Sequence, residues 1–141
     1  MKGKRQIREA ALSGLYMYDV LGGFNPQHLA FSLEHFGFIA SAGTEGLRLV
    51  QAVIEHLEEI DSHITCASKN WSLSRMCRLD RAILRLGVYE ILHDHDVPSS
   101  VAINEAVELS KAYGSPESSR FINGVLDCVA NGSQVKLETS T

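Results

Sequence analysis

One stretch near the middle of the chain, residues 79–92, is apolar on nearly every face that a helix would present. Its apolar side chains recur at three- and four-residue intervals, and others fill most positions between them. Such a helix has no face suited to water, so we expect it to lie at the centre of the fold beneath other helices. Three arginines, Arg78, Arg81 and Arg85, interrupt the apolar surface along one side. We expect Arg85 to have a structural role.

The rest of the chain also has helical periodicity. Alternation of apolar and polar residues is nowhere sustained, so the pattern predicts an all-α fold of about six or seven helices. A first helix over residues 4–21 is expected to stop at Gly22-Gly23. A short second helix begins at Pro26, and a long third one begins at Thr44.

Capping residues mark helix ends in the second half of the chain. Ser72 or Ser74 is predicted to cap the central helix, and Ser115 is predicted to cap the last one. The length of 141 residues suits one domain. We expect that domain to occupy residues 1–132, followed by a polar, disordered tail over residues 133–141.

Charge is distributed unevenly along the chain. The net charge of −4 alone argues against a nucleic-acid partner. However, four of the thirteen Lys and Arg residues lie within the first eight positions, and no acid precedes them. These four are Lys2, Lys4, Arg5 and Arg8. A basic arm on an acidic body is typical of chains that contact phosphates, where each neutralised phosphate releases counterions.

The first helix also places aromatic and apolar side chains beside this basic arm. Arg5, Leu12 and Tyr16 fall on the face opposite the expected core stripe. An exposed Tyr beside cations suits base stacking or a protein contact. The alternative is a Tyr that lies over the end of a neighbouring helix.

Cysteine and histidine positions do not indicate a metal site, a disulfide or a cofactor. The cysteines lack metal-binding spacing and are expected to be free thiols: Cys66, Cys77 and Cys128. Residues 93–96, His-Asp-His-Asp, are expected to form a solvated helix end. His56 and His63 share a charged helix face with Glu59, which is again typical of a solvent-facing surface.

Motifs of common enzyme classes are missing from the sequence. It has no Gly-rich phosphate loop, no G-x-S-x-G and no H-E-x-x-H. No apolar run approaches the roughly 20 residues that cross a bilayer, and the N-terminus does not resemble a signal peptide. These features favour a cytoplasmic binding module over an enzyme or a membrane protein.

Four blocks of sequence resemble the family of the bacterial transcription antitermination factor NusB. Residues 96–111 contain V-A-I-N-E-A, and residues 120–127 contain F-I-N-G-V-L-D. Residues 80–90, D-R-A-I-L-R-L-G-V-Y-E, and the first-helix block over residues 8–16 agree in order and spacing. The resemblance spans residues 4–130.

This resemblance implies an all-α fold of two small helical bundles packed together. It implies a partner, the small-subunit ribosomal protein NusE, and a single-stranded RNA ligand, the boxA element of nascent ribosomal RNA leaders. The pair would join the RNA polymerase antitermination complex and help the polymerase resist Rho-dependent termination. Neither a cofactor nor a membrane is implied.

The resemblance also assigns site residues by position. Its RNA-binding N-terminal segment maps onto the basic arm, although Gln6 stands where a basic residue is common. The candidate RNA-binding residues are Lys2, Lys4, Arg5, Arg8, Arg120 and Phe121. The candidate partner-binding residues are Tyr16, Asp80 and Arg81.

Three alternatives remain open from the sequence. Phe121 suits a core position as well as an RNA-facing one, and Asn123-Gly124 is expected to permit a close helix crossing. The chain could be a protein-only interaction module, such as a homodimer that masks its RNA surface. It could also be a stand-alone relative of the RNA-binding domain of ribosomal-RNA cytosine methyltransferases.

Overall fold

The computed structural model describes residues 2–23, 27, 40–69 and 71–139, with side chains described for residues 4–23, 27, 43–69 and 71–132. This part of the chain contains six α-helices, one short 3-10 turn and no strand, which confirms the predicted all-α class. The helices are α1 (Lys2–Leu21), α2 (Ala40–Glu55), α3 (Leu57–Ala67), α4 (Arg78–His93), α5 (Ser99–Tyr113) and α6 (Pro116–Thr139). The short helix predicted from Pro26 lies outside the described residues. No helix in the described ranges is long and apolar enough to cross a membrane.

The chain divides into two compact units, Met1–Glu55 and His56–Thr141. The first unit contains α1 and α2, and the second contains α3 to α6. In α1 the buried face is wider than the sequence predicted. Leu12 was expected to be exposed, but it is only 5% exposed, so that prediction is wrong. Leu12 lies about 100° around the helix from buried Ala11, so two adjacent faces of α1 are covered.

Glycines allow α1 and α2 to cross closely. A Cβ added at Gly46 of α2 would lie 2.7 Å from Ala10 Cβ and 3.2 Å from the backbone nitrogen of Ala11. A Cβ added at Gly14 of α1 would lie 2.7 Å from Val50 Cγ2. Real Cβ atoms do not approach this closely, so the two backbones are nearer than larger residues would allow.

Two alanine substitutions on α2 test this crossing. We expect Gly46→Ala to lower the free energy of unfolding by about 1–3 kcal/mol, because the new methyl overlaps Ala10 and the nearby backbone cannot yield cheaply. Gly43 is the matched control, since an added Cβ there meets no atom within 4 Å. Gly43→Ala should raise the free energy of unfolding by about 0.5–1 kcal/mol through helix propensity. Urea denaturation measures both, and equal effects at the two sites would contradict the close crossing.

Helix α4 is the central element of the second unit, as its sequence predicted. Its fully or nearly fully buried apolar side chains are Ala82, Ile83, Leu84, Leu86 and Val88. A Cβ added at Gly87 would lie 2.8 Å from Leu126 Cδ1 of α6 and 3.6 Å from Ala106 Cβ of α5. Neighbouring helices therefore pack directly onto the α4 backbone at this position.

The arginine strip of α4 changes from exposed to buried along the helix. Arg78 is exposed, Arg81 is half-buried and Arg85 is buried. The Arg85 guanidinium donates two hydrogen bonds to Asp61 of α3, from Nε to Oδ1 at 2.9 Å and from Nη2 to Oδ2 at 3.0 Å. The structural role expected for Arg85 is therefore confirmed, because its ion pair with Asp61 joins α3 to α4.

One of the two predicted caps is wrong. Cys77 caps α4, with its Sγ accepting from the backbone N–H three residues later at 3.4 Å. Ser72 and Ser74 lie before the short 3-10 turn or within it, with their hydroxyl oxygens 3.2 Å apart. The extra turn separates both serines from the start of α4. At α6 the prediction is confirmed, because Ser115 Oγ accepts from the backbone N–H of Ser118 at 3.2 Å.

Helix α6 differs from its prediction in two ways. Its backbone continues to Thr139, past the expected end near residue 132. Gly124 is exposed, and an added Cβ there meets no atom within 4 Å, so the expected helix crossing at Asn123-Gly124 is wrong. The disorder expected for residues 133–141 stays a prediction.

Candidate nucleic-acid and partner interface

A groove of about 500 Å³ opens in the second unit, where the starts of α4 and α6 lie close together. The segment between α3 and α4, including the 3-10 turn, forms its third side. The lining residues are Trp71, Arg75, Met76, Cys77, Asp80, Ser115, Glu117, Ser118 and Phe121. Two residues singled out by the sequence, Asp80 and Phe121, therefore share one surface, although different roles were predicted for them.

Asp80 enters the groove from the first turn of α4. A carboxylate there interacts favourably with the positive end of the helix, so the fold tolerates it locally. The Asp80 side chain is half-buried, and its Oδ1 is buried without a hydrogen-bond partner among the described residues. Buried carboxylate oxygens normally accept at least one hydrogen bond. This oxygen is closed to solvent, so a donor from another molecule reaches it only when the Asp80 side chain turns within the groove.

Arg81, predicted to contact the partner, is hydrogen-bonded to the segment that forms the third side of the groove. Its Nη1 donates to the backbone carbonyl oxygen of Leu73 at 2.6 Å. The bond joins the first turn of α4 to the 3-10 turn (Leu73–Arg75). Arg81 is half-buried, and this hydrogen bond fixes the segment next to Trp71 against the start of α4.

Phe121 and Arg120 lie one turn into α6. Phe121 is half-buried and lines the groove, so it is neither a fully buried core residue nor a fully exposed one. Arg120 is exposed. The Ser115 cap starts α6 at the groove wall, and Ser115 Oγ also lies 3.1 Å from Ser118 Oγ. The cap thus sets the direction from which Phe121 reaches the groove.

The basic arm belongs to the first unit and forms the N-terminal turns of α1. Lys4 and Arg5 are exposed, and Lys2 lies in the helix, although its side chain is outside the described set. Arg8 is only 7% exposed, which removes most of its surface from any ligand. Tyr16 is 40% exposed, as expected from its position on the helix.

Sequence reasoning missed one of the two aromatic side chains that line the groove, that of Trp71. Trp71 is 53% exposed and lies near Arg75 on the groove wall. About half of this residue is exposed, so it is not buried beneath the start of α4. The sequence contains a signal for this residue. Trp71 lies close in sequence to Arg75, and a similar pairing of an aromatic residue with a cation drew attention to Tyr16 and Arg5.

The charges of the groove differ from those of the arm. Arg75 is the one basic residue in its lining, against the acids Asp80 and Glu117. The arm instead offers exposed Lys4 and Arg5 without a preceding acid. Phosphates are therefore better suited to the arm, while the groove suits a ligand that brings its own cation and an apolar surface.

Comparison with known proteins identifies a matching family. A model of the NusB family matches residues 5–131. The chain is 45% identical over 132 residues to the transcription antitermination protein NusB of Geobacter sulfurreducens, covering 93% of this chain and 96% of that protein.

Solved structures agree with that match. NusB from Aquifex aeolicus, solved in solution, superposes with a TM-score of 0.83 at 29% identity, covering 96% of this chain and 93% of that one. A crystal structure of the antitermination factors NusB and NusE in complex with dsRNA superposes with a TM-score of 0.80 at 30% identity. That superposition covers 94% of this chain and 98% of the matched chain.

Proposed function

Because the chain belongs to the NusB family, we propose that it is a transcription antitermination factor that acts with NusE on RNA. The observation that carries this proposal is the fold match, over nearly the whole chain, to a protein solved together with NusE and RNA. In this role the chain joins the antitermination complex of RNA polymerase and helps it resist Rho-dependent termination. The preferred RNA is a boxA-like element of ribosomal RNA leaders, and the protein works in the cytoplasm.

The groove is the proposed contact for NusE. Asp80 places a half-buried carboxylate on the groove wall, and Trp71 adds exposed aromatic surface to the same groove. A Lys or Arg of the partner would satisfy the carboxylate while apolar side chains cover the ring. Aromatic side chains in partly desolvated pockets often dominate interface energetics. Arg81 supports this contact through its hydrogen bond to the 3-10 turn. Tyr16, in the first unit, is proposed separately as a partner-binding residue because its side chain is exposed.

The arm is the proposed contact for RNA phosphates. Lys2, Lys4 and Arg5 supply positive charge from a segment whose first eight residues contain no acid, and Arg120 adds a further exposed cation. The RNA contact predicted for Phe121 stays a prediction, because this side chain lines the groove that we assign to NusE. Arg8 is buried, so we assign it to positioning the arm rather than to direct contact.

A titration of labelled RNA with the NusE complex tests the arm. We expect the double variant Lys4→Ala, Arg5→Ala to bind a boxA RNA more weakly. The slope of log affinity against log salt should fall by about 1.4, because each phosphate contact on single-stranded RNA contributes about 0.7. The measurement is fluorescence anisotropy at three or more salt concentrations.

The matched control is Lys69→Ala, Lys111→Ala, which removes two exposed cations outside the arm and the groove. It should leave both affinity and slope unchanged. The known complex contains dsRNA, so a duplex of the same sequence is titrated in parallel. An unchanged slope in the arm variant would contradict its role, and tighter binding of the duplex would contradict the preference for single-stranded RNA.

The two rival functions make different predictions. A protein-only homodimer should sediment as a dimer whose mass is unaffected by NusE, whereas the proposed adaptor forms a heterodimer. A methyltransferase relative with catalytic activity should transfer a methyl group to RNA, and we expect no transfer by this chain. Sedimentation and a radiolabelled methyl-transfer assay distinguish these alternatives.

A further inference from the structure

A cluster of three potential metal ligands lies in the second unit, away from the groove and the arm. His56 stands at the turn before α3, Glu59 lies in the first turn of α3, and His93 is the last residue of α4. We propose that these three side chains bind a divalent transition-metal ion, with Zn²⁺ as the best match. The sequence separates His93 from the other two by more than thirty positions, so only the fold brings them together.

The ligand atoms are already close to coordination geometry. His93 Nε2 lies 2.6 Å from Glu59 Oε1, and one donor atom from each residue falls within 4.8 Å of the other two. Ligands placed tetrahedrally at about 2.0–2.1 Å from zinc lie about 3.3 Å apart. Side-chain rotations would therefore suffice to close the site. Among the described residues, no other three His, Cys, Asp or Glu side chains bring their ligand atoms this close together.

Ring stacking orients the two imidazoles. The His56 and His93 rings are stacked, with centroids 4.1 Å apart and planes 25° from parallel. Tyr89 contacts both rings, with centroid distances of 6.0 Å to His56 and 5.4 Å to His93. Imidazole lone pairs lie in the ring plane, so closing the site includes turning at least one ring out of this stack until both nitrogens face the same ion. The partial exposure of His93 leaves room for that turn.

The donor set selects the class of metal. Two imidazoles and one carboxylate suit zinc and its neighbours, whereas magnesium and calcium prefer oxygen ligands. The side chains of His93 and Glu59 are 28% and 51% exposed, so solvent water can reach the ion and complete its coordination. The C-terminal end of α4 carries partial negative charge, which further favours a cation beside His93.

A metal here would join the start of α3 to the end of α4. The present contact is one hydrogen bond between partly exposed side chains, together with the stacked rings. An ion that binds only the folded protein stabilises it by an amount that rises with the logarithm of the free ion concentration above Kd. The site would thus strengthen a helix pair that the Arg85–Asp61 ion pair also joins.

Zinc titration of the full chain tests the site. The background carries Cys66→Ser, Cys77→Ser and Cys128→Ser, because exposed thiols also bind zinc. Serine preserves the cap made by Cys77. We expect calorimetry to show one Zn²⁺ per chain and thermal unfolding to shift upward with added ZnCl₂. Co²⁺ used as a spectroscopic probe should give the visible absorption bands of a tetrahedral site.

Single-ligand variants decide whether these residues form the site. Mutation of residues that merely support a ligand weakens metal binding roughly 10–100-fold. The variants His56→Gln, Glu59→Gln and His93→Gln should therefore weaken binding at least about 100-fold. The matched control is His95→Gln, an exposed histidine two positions from His93, and it should bind normally.

Glu59→Gln is the most informative variant. The Glu59 side chain is 51% exposed, so its replacement should not disturb the fold, and lost zinc binding then reports the lost ligand. Circular dichroism checks that each variant stays folded. Full binding by Glu59→Gln and His93→Gln would overturn the proposal. So would the absence of any saturable Zn²⁺ binding by the parent chain.

Discussion

Replacing Arg85 with alanine is expected to lower the free energy of unfolding by about 3 kcal/mol, near the low end of the range for breaking a buried ion pair. The Arg85 side chain is 11% exposed and that of Asp61 is 23% exposed. The substitution leaves the Asp61 carboxylate partly buried without the two hydrogen bonds that it now accepts. Leaving such a charge unpaired destabilises a fold more than removing both partners together.

A double-mutant cycle separates the pair from its surroundings. Asp61→Ala and the double variant Arg85→Ala, Asp61→Ala complete the cycle, and the double variant should be less destabilised than the sum of the two single ones. The control is Lys111→Ala, because the Lys111–Glu108 pair is 61% and 42% exposed and spans 3.5 Å. Its loss should change the free energy of unfolding by less than about 1 kcal/mol. Equal effects in Arg85→Ala and Lys111→Ala would show that the buried pair has no special role.

Asp80→Lys is expected to weaken binding of NusE at least about 30-fold. The change reverses the charge at the carboxylate that we propose to pair with a partner cation. Truncating one member of a desolvated charge pair at an interface costs about 2–5 kcal/mol, and 2 kcal/mol corresponds to about 30-fold in affinity. Surface plasmon resonance with immobilised NusE measures the loss.

Folding should survive this substitution. Lysine in the first turn of α4 is disfavoured by the helix dipole by about 0.3–1 kcal/mol, which does not unfold a stable domain. Asp127→Lys is the matched control, since it makes the same charge change at an exposed position of α6 outside the groove. Unfolding of Asp80→Lys would show that Asp80 is structural, and undiminished binding of NusE would place the partner elsewhere.

Periodicity predicted those features that depend on one helix and its burial. The all-round apolar pattern of residues 79–92 predicted the central position of α4, because such a helix is stable in water only when other helices cover it. The position of Arg85 in that pattern also indicated a structural role for its side chain. Its partner, Asp61, was not identifiable, since the two residues lie 24 positions apart on different helices.

Predictions of the α4 cap and of the exposure of Leu12 were wrong, because both depend on how the chain packs and turns between helices. Ser72 and Ser74 are good capping residues, but a 3-10 turn separates them from α4 and leaves the role to Cys77. Leu12 was placed on the exposed face because one stripe of α1 seemed sufficient for burial. A helix that is covered on two sides buries more than one stripe, and a single sequence does not reveal how many neighbours a helix has.

For the candidate sites too, the sequence determined some features and the tertiary structure determined others. The sequence alone determined the helical class, the basic arm and the resemblance that led to Asp80 and Phe121, because composition, periodicity and motif order are properties of the chain. Only the tertiary structure placed Asp80, Phe121 and Trp71 on one groove and joined His93 to Glu59. Those contacts form between helices distant in sequence, where packing rather than local preference sets the distances.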